Sequence, residues 1–171
     1  ELAYDALALT TGSYPRKLPS SVGGGLKGVF TVRDLSDVDL MSPYFEASRK
    51  VLVIGGGYIG LEAAAVAAKR GLSVSLIEMS DRILKRVACP ETADYFRNLH
   101  QCNGVDIKEG VGLSYLEGEE HVQRAVLTNG SELEIDFAIV GVGIQPATEL
   151  AETAGLKVEN GIVTDEQART T

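Results

Sequence analysis

Val51-Leu52-Val53-Ile54-Gly55-Gly56-Gly57-Tyr58-Ile59-Gly60 is the stretch on which the reading of this chain turns. Four consecutive apolar residues, most of them β-branched, predict a strand buried on both faces, as in a parallel sheet. Gly55 to Gly60 then matches G-x-G-x-x-G. Leu61 to Arg70 is rich in Ala, Leu and Glu and predicts a helix, stopped by Gly71. Leu72 to Ile77 predicts the next strand, with Glu78 at its end, 23 positions after Gly55. Strand, glycine loop, helix and terminal acid, in that order, are the parts of a dinucleotide-binding βαβ unit. Gly55 would allow the tight turn, Gly57 the approach of backbone to a pyrophosphate, and Gly60 close packing of helix on strand. Backbone N–H groups and the positive helix end would face the phosphates. Glu78 would accept hydrogen bonds from the adenosine ribose hydroxyls. The plain alternative, a glycine-rich turn in an unrelated α/β domain, needs all four features to coincide by chance. Ala64 and Ala68 continue the small face that Gly60 begins.

The loop does not distinguish NAD from FAD, because both carry an ADP moiety. Glu78 would repel a 2′-phosphate, which favours NAD over NADP. Arg82 and Arg86 follow soon after and read as phosphate ligands, as a solvated helical face, or as adenine-stacking groups.

Outward from this unit, Tyr4 to Leu9 predicts a strand, followed by a Pro- and Gly-rich linker through Gly25. Val29 to Val32 predicts a strand, and Ser36 to Ala47 a helix capped by Asp34 or Ser36 and interrupted at Pro43. A helix from Pro90 to Gln101 stops at Asn103 and Gly104. Val105/Ile107, Val111/Leu113/Tyr115 and Leu133/Ile135 alternate with period two, and Asn129-Gly130 signals a two-residue hairpin. Together they predict an antiparallel meander. Phe137 to Val140 predicts another buried strand, Thr148 to Ala154 a short helix, and Ile162 to Thr164 a last strand. The expected fold class is α/β, a Rossmann-like central parallel sheet with flanking helices and an antiparallel β-meander.

The 171 residues suffice for about one domain, and 44% hydrophobic content argues against general disorder. A net charge of −8 argues against binding a phosphate backbone, and the absence of Trp with 6% aromatics argues against a base-stacking platform. No apolar run approaches the roughly 20 residues of a membrane helix. Nucleic acid and membrane are therefore not expected partners. The two cysteines, Cys89 and Cys102, form no C-x-x-C pair, and the two histidines complete no zinc pattern, so no metal site is expected. Sparse cysteines suit a reducing compartment and an expected cytoplasmic location. His100 reads as a packing or capping group on its helix, and His121 as solvated. A start at Glu1 and an abrupt end at Thr171 lead to the expectation of a segment cut from a longer chain.

Gly55 to Glu62 (GGGYIGLE), Gly71 to Val74 (GLSV), Glu78, Arg82 to Arg86 (RILKR) and His100-x-x-x-Gly104 resemble the nicotinamide domain of FAD-dependent pyridine-nucleotide oxidoreductases. Within that superfamily the chain is most similar to the ferredoxin reductases of oxygenase electron-transfer chains. Tyr4 to Leu9, with Thr11, Gly12, Pro15 and Arg16, resembles the place where such chains leave their FAD domain. The resemblance implies an FAD-domain remnant and linker over 1–28, an NAD(H)-binding domain over 29–166, and the return toward the FAD domain over 167–171. It implies that Gly55, Gly57, Tyr58, Ile59 and Gly60 line the dinucleotide, that Glu62 accepts from the nicotinamide carboxamide, and that Glu78 and Arg86 hold the adenosine end. Gly141, Val142 and Gly143 would line the nicotinamide side. Thr11, Gly12 and Arg16 would belong to the FAD side. The family often carries Asn where this chain has Ala147 after Pro146, so no polar contact is expected there.

The expected function is to present NADH for hydride transfer to a flavin in an NADH-dependent flavoprotein oxidoreductase. The parent would pass electrons on to a ferredoxin-type iron–sulfur protein. The cofactors carry this chemistry, so no proton-transfer residue is named. The FAD domain would act in cis, and the segment alone would bind NADH without turnover. Alternatives are the same domain from an NADH oxidase, a nitrite-reductase subunit or a disulfide reductase, or a non-catalytic NADH-sensing module. An unpaired Leu7-Ala8-Leu9 strand would also favour a homodimer through the N-terminal segment.

Overall fold

The computed structural model describes residues 2–170. Residues 1 and 171, the outer ends of the expected 1–28 and 167–171 segments, lie outside the described residues. In chain order the elements are β1 (Ser13–Pro15), β2 (Val29–Thr31), α1 (Leu35–Met41), β3 (Lys50–Ile54), α2 (Tyr58–Lys69), β4 (Ser73–Glu78), α3 (Pro90–Cys102) and β5 (Val105–Glu109). Next come β6 (Leu113–Glu117), β7 (Arg124–Leu127), β8 (Glu132–Glu134), β9 (Phe137–Val140), β10 (Ile144–Pro146) and α4 (Glu149–Thr153).

Two compact units result. The larger runs from Pro15 to Gly143. Its centre is a sheet in the order β2-β9-β3-β4-β5, parallel throughout. A second sheet, β6-β7-β8, is antiparallel. Successive strand residues point to opposite faces, and the two cores follow that alternation. Val51, Val53, Val74, Leu76, Phe137 and Ile139 pack with Leu61, Ala64 and Ala67 of α2 and Ala93 of α3. Leu52, Ile54, Ile77, Ala138 and Val140 pack with Leu116 of β6 and Ala125 and Leu127 of β7. The apolar run in β3 is thus unbroken because helices cover one face and the meander covers the other.

Local signals set the element ends. Asp34 and Asp37 form a reciprocal capping box at α1, which decides the cap in favour of Asp34. The helix ends at Met41, and a 3₁₀ turn containing Pro43 follows. Gly71 closes α2 with φ 83°, donating to the Ala68 carbonyl while Leu72 N–H donates to that of Ala67. This is a Schellman stop, and the left-handed residue it needs is the glycine.

Four expectations are corrected. Val105 and Ile107 belong to β5, the parallel edge strand beside β4, and not to the meander. An edge strand is half exposed, so it alternates as an antiparallel one does. Asn129-Gly130 is not a two-residue hairpin. Only Gly130 has positive φ, Leu127 N–H bonds the Ser131 carbonyl, and three residues form the turn. No strand forms over Tyr4 to Leu9. In the smaller unit, which gathers the stretches up to Tyr14 and from Ile144, β1 and β10 form the two-stranded sheet. An apolar run becomes a strand only where another strand offers its backbone, and here Ser13–Pro15 has that partner. Ile162 to Thr164 makes only isolated bridges, Val158 with Ile162 and Thr164 with Thr170.

Among the described residues, no helix is long and apolar enough to cross a membrane.

Phe137 is fully buried and touches Phe30, Tyr44 and Phe45 with ring centroids 6.4, 5.6 and 5.5 Å apart. Phe137→Ala is expected to lower the unfolding free energy by about 3–5 kcal/mol in urea denaturation. His100 is 8% exposed, and burial pushes its imidazole pKa below the ordinary 6.5. The fold therefore holds the neutral ring, and stability falls as pH drops below the unfolded value. The thermal midpoint should decrease between about pH 7.5 and 5.5, and His100→Gln should flatten that part of the profile.

Candidate functional site

In the larger unit, the chain leaves β3 toward β4 and β5 on one side, while β9 returns on the other. The carboxyl ends of β3 and β9 therefore form a topological switch point, where open α/β sheets bind ligands. Gly55 follows β3 and Gly141 follows β9. Gly55 takes φ 109°, and a Cβ there would run into the Gly141 carbonyl oxygen. A Cβ on Gly60 would collide with the Gly55 carbonyl oxygen, so α2 sits directly on the turn that launches it. A Cβ on Gly57 would meet nothing within 4 Å. The three glycines thus separate into a turn, an open approach and a close packing.

α2 starts at Tyr58, earlier than the expected Leu61, so the glycine loop feeds straight into its first turn. Gly57 is the N-cap, with no side-chain cap and no acidic residue in the first turn. Neither the cap residue nor the first turn of α2 supplies a side chain to its positive end, and an external anion suits it. A helix starting at Leu61, as the sequence predicts, would put Glu62 in the first turn. With the helix starting at Tyr58 it lies in the second, and it is exposed.

Glu78 is half-buried at the end of β4 and holds the loop directly. Its Oε2 accepts from Gly56 N–H at 2.7 Å and its Oε1 from Ser80 N–H at 2.8 Å. Each carboxylate oxygen has a second lone-pair direction left for a ligand hydroxyl. Gly56, an x of the motif, is crowded too, by side chains where Gly55 and Gly60 are crowded by backbone. A Cβ there would lie 2.7 Å from Ile83 Cγ2 and 3.1 Å from Glu78 Cβ. Its carbonyl also accepts from Leu84 N–H at 2.9 Å. Nothing in G-x-G-x-x-G marks this position, because the constraint comes from residues 27 and 28 positions later.

Arg82 settles among its three readings in none of them. Its guanidinium donates to the carbonyls of Ile83, Lys85 and Ala88 at 3.4, 3.3 and 2.9 Å, and so binds its own loop together. That loop is built of turns, not of the helix one reading assumed. Arg86 remains exposed, with its guanidinium 4.0 Å from where a Gly143 Cβ would lie. Val142 and the side chains of Tyr58 and Ile59 are also exposed, at 39%, 59% and 44%. Gly143 has φ 103°, and its carbonyl accepts from Arg16 N–H at 2.9 Å.

In the smaller unit, Thr11 Oγ1 donates to the Ala147 carbonyl at 2.5 Å, and Ala147 N–H donates to the Gly12 carbonyl at 3.0 Å. Ala147 is buried. What it offers here is backbone.

The whole chain, residues 1–171, matches the family described as pyridine nucleotide-disulphide oxidoreductase. It is 38% identical over 174 residues to putidaredoxin reductase CamA of Pseudomonas putida, covering 99% of this chain and 41% of that protein. It is 39% identical over 171 residues to a rubredoxin-NAD(+) reductase of the same species, covering 99% of this chain and 44% of the relative. Among solved structures, the covalent putidaredoxin reductase–putidaredoxin complex superimposes with a TM-score of 0.92 at 38% identity, covering 99% of this chain and 42% of that one. The chain thus spans about two fifths of the length of the relatives it matches.

Gly57→Ala and Gly60→Ala should separate binding from folding. Gly57 has φ −83°, which any residue adopts, so its alanine variant is expected to unfold within about 0.5 kcal/mol of wild type while losing dinucleotide affinity. The Gly60 variant must push a methyl against backbone and is expected to lose at least about 1–3 kcal/mol. Thermal unfolding and NADH titration of both variants check the pair.

Proposed function

The chain belongs to the pyridine nucleotide-disulphide oxidoreductase family, and from that premise we propose that it is the NADH-binding domain of an FAD-dependent ferredoxin reductase. The observation that carries this reading is the glycine loop at the uncapped end of α2, tied through Gly56 to the carboxylate of Glu78. In this reading Gly55, Gly57 and Gly60, with the backbone of Tyr58 and Ile59, cradle the pyrophosphate. The remaining lone pairs of Glu78 take the ribose hydroxyls, and Arg86 borders the adenosine. Glu62 accepts from the nicotinamide carboxamide, and Val142 and Gly143 line the nicotinamide. Thr11, Gly12 and Arg16 face the FAD side. The dinucleotide domain covers 29–166, flanked by FAD-domain segments at 1–28 and 167–171.

NADH is preferred over NADPH on two counts. Glu78 repels a 2′-phosphate, and Arg82, one of the two cations that could offset it, is engaged by three carbonyls of its own loop. In the parent, a flavin held by the FAD domain would supply the redox chemistry that links the nicotinamide to a ferredoxin-type iron–sulfur protein. The chain's own residues bind and orient the nicotinamide for that step, and the chain by itself binds NADH without turnover. The protein acts in the cytoplasm. Exposed Leu7 gives its N-terminal segment a surface for self-association.

Calorimetric titration with NADH, NADPH and FAD, side by side, tests the assignment. NADH should bind best, and Glu78→Ala should weaken it by at least about tenfold. Preferential FAD binding would mean that the loop belongs to the other dinucleotide.

A further inference from the structure

Glu78 and Glu109 are register partners at the carboxyl ends of β4 and β5. Two carboxylates side by side on neighbouring strands are unfavourable unless each is held by donors. They are also a poor edge against which to lay an anionic ligand. Arg97 on α3 resolves this for Glu109 with two parallel bonds, Nε to Oε2 at 2.8 Å and Nη2 to Oε1 at 3.0 Å. Both side chains are largely shielded, at 22% and 19% exposure, where a bidentate pair is well ordered. Asp94, one helical turn away, receives the third guanidinium nitrogen.

The pair does more than tie α3 to β5. Glu109 Oε1 also accepts from Ile83 N–H at 2.7 Å. Ile83 is fully buried, and its Cγ2 forms the wall over Gly56. Leu84, next in sequence, donates its N–H to the Gly56 carbonyl. It does so with φ 54°, a left-handed conformation that a leucine keeps only when its surroundings impose it. A continuous path therefore runs from the Arg97 guanidinium through Glu109 and the Ile83-Leu84 turn to the glycine loop.

We propose that Arg97 and Glu109 are positioning residues for the dinucleotide: remote from the glycine loop in sequence, they set its geometry by fixing Ile83 and Leu84 against Gly56. This rests on the NADH-binding reading given above. Neither residue touches the ligand in this proposal. Their effect passes through backbone N–H groups.

The test uses the isotope-labelled chain with Arg97→Met, Arg97→Lys and Glu109→Gln. Amide hydrogen exchange at Gly56 and Leu84 is measured without nucleotide, and NADH affinity is measured separately. In Arg97→Met both amides should exchange roughly tenfold faster and NADH should bind about tenfold more weakly. Arg97→Lys, which keeps the charge but loses the fork, should recover part of both. If Arg97→Met fails to fold, Glu109→Gln is read instead. It keeps an acceptor for Ile83 N–H and should show smaller changes in the same direction. Wild-type exchange at Gly56 and Leu84, or wild-type affinity, in a folded variant overturns the proposal. Loosened amides in a chain whose wild type takes up no NADH would overturn it through the dinucleotide reading, with the coupling to Gly56 intact.

Discussion

The close seat of α2 on the turn after β3 is the constraint from which the rest of the larger unit follows. Gly60 lies so near the Gly55 carbonyl that no side chain fits, and Gly55 in turn lies against the Gly141 carbonyl after β9. Three backbone segments therefore converge at one point, at the ends of two adjacent parallel strands. That convergence directs the first turn of α2, uncapped and without acidic residues, at the crevice between the strands. It also explains the composition of α2, where Ala64 and Ala67 are fully buried. Small residues let the helix axis stay near the sheet.

Around this point the chain distributes backbone donors and acceptors so that the loop is held without filling the space beside Gly57. Gly56 gives its N–H to Glu78 and its carbonyl accepts from Leu84, while Ile83 closes its third side. Glu78 supports the loop from one direction and, in the proposed reading, accepts from a ligand from the other. A carboxylate can do both because its oxygens have more lone-pair directions than the two N–H groups use. The price is acidic crowding at the ends of β4 and β5, which the Arg97 fork offsets.

Much of this was legible in the residues. The β3 run, the glycine spacing, the small helix face and the acid at the end of β4 all rest on local rules: side-chain alternation, the steric allowance of glycine, and the distance one βαβ unit spans. The roles of Gly55 and Gly60 followed from the same rules. What was not legible depends on partners far along the chain. Gly56 looks like any residue between two signature glycines until Ile83 is placed against it. Arg82 looks like a phosphate ligand until its own loop curls around it. Val105 and Ile107 alternate like a meander strand because the edge of a parallel sheet also has one exposed side. Leu7 to Leu9 looks like a strand because apolarity is local, whereas strand pairing is not.

The sequence by itself determined the βαβ unit, its glycine-loop and terminal-acid pattern and the family resemblance, because each is encoded within a few tens of consecutive residues. Tertiary structure alone decided which glycine beyond the motif is locked, where the arginines point, and which strands pair. Those outcomes are set by hydrogen-bond donors and acceptors brought together by sheet order, such as the Glu109 carboxylate meeting Ile83 N–H across 26 positions. No local pattern of residue types carries that information, since the partner is chosen by the fold.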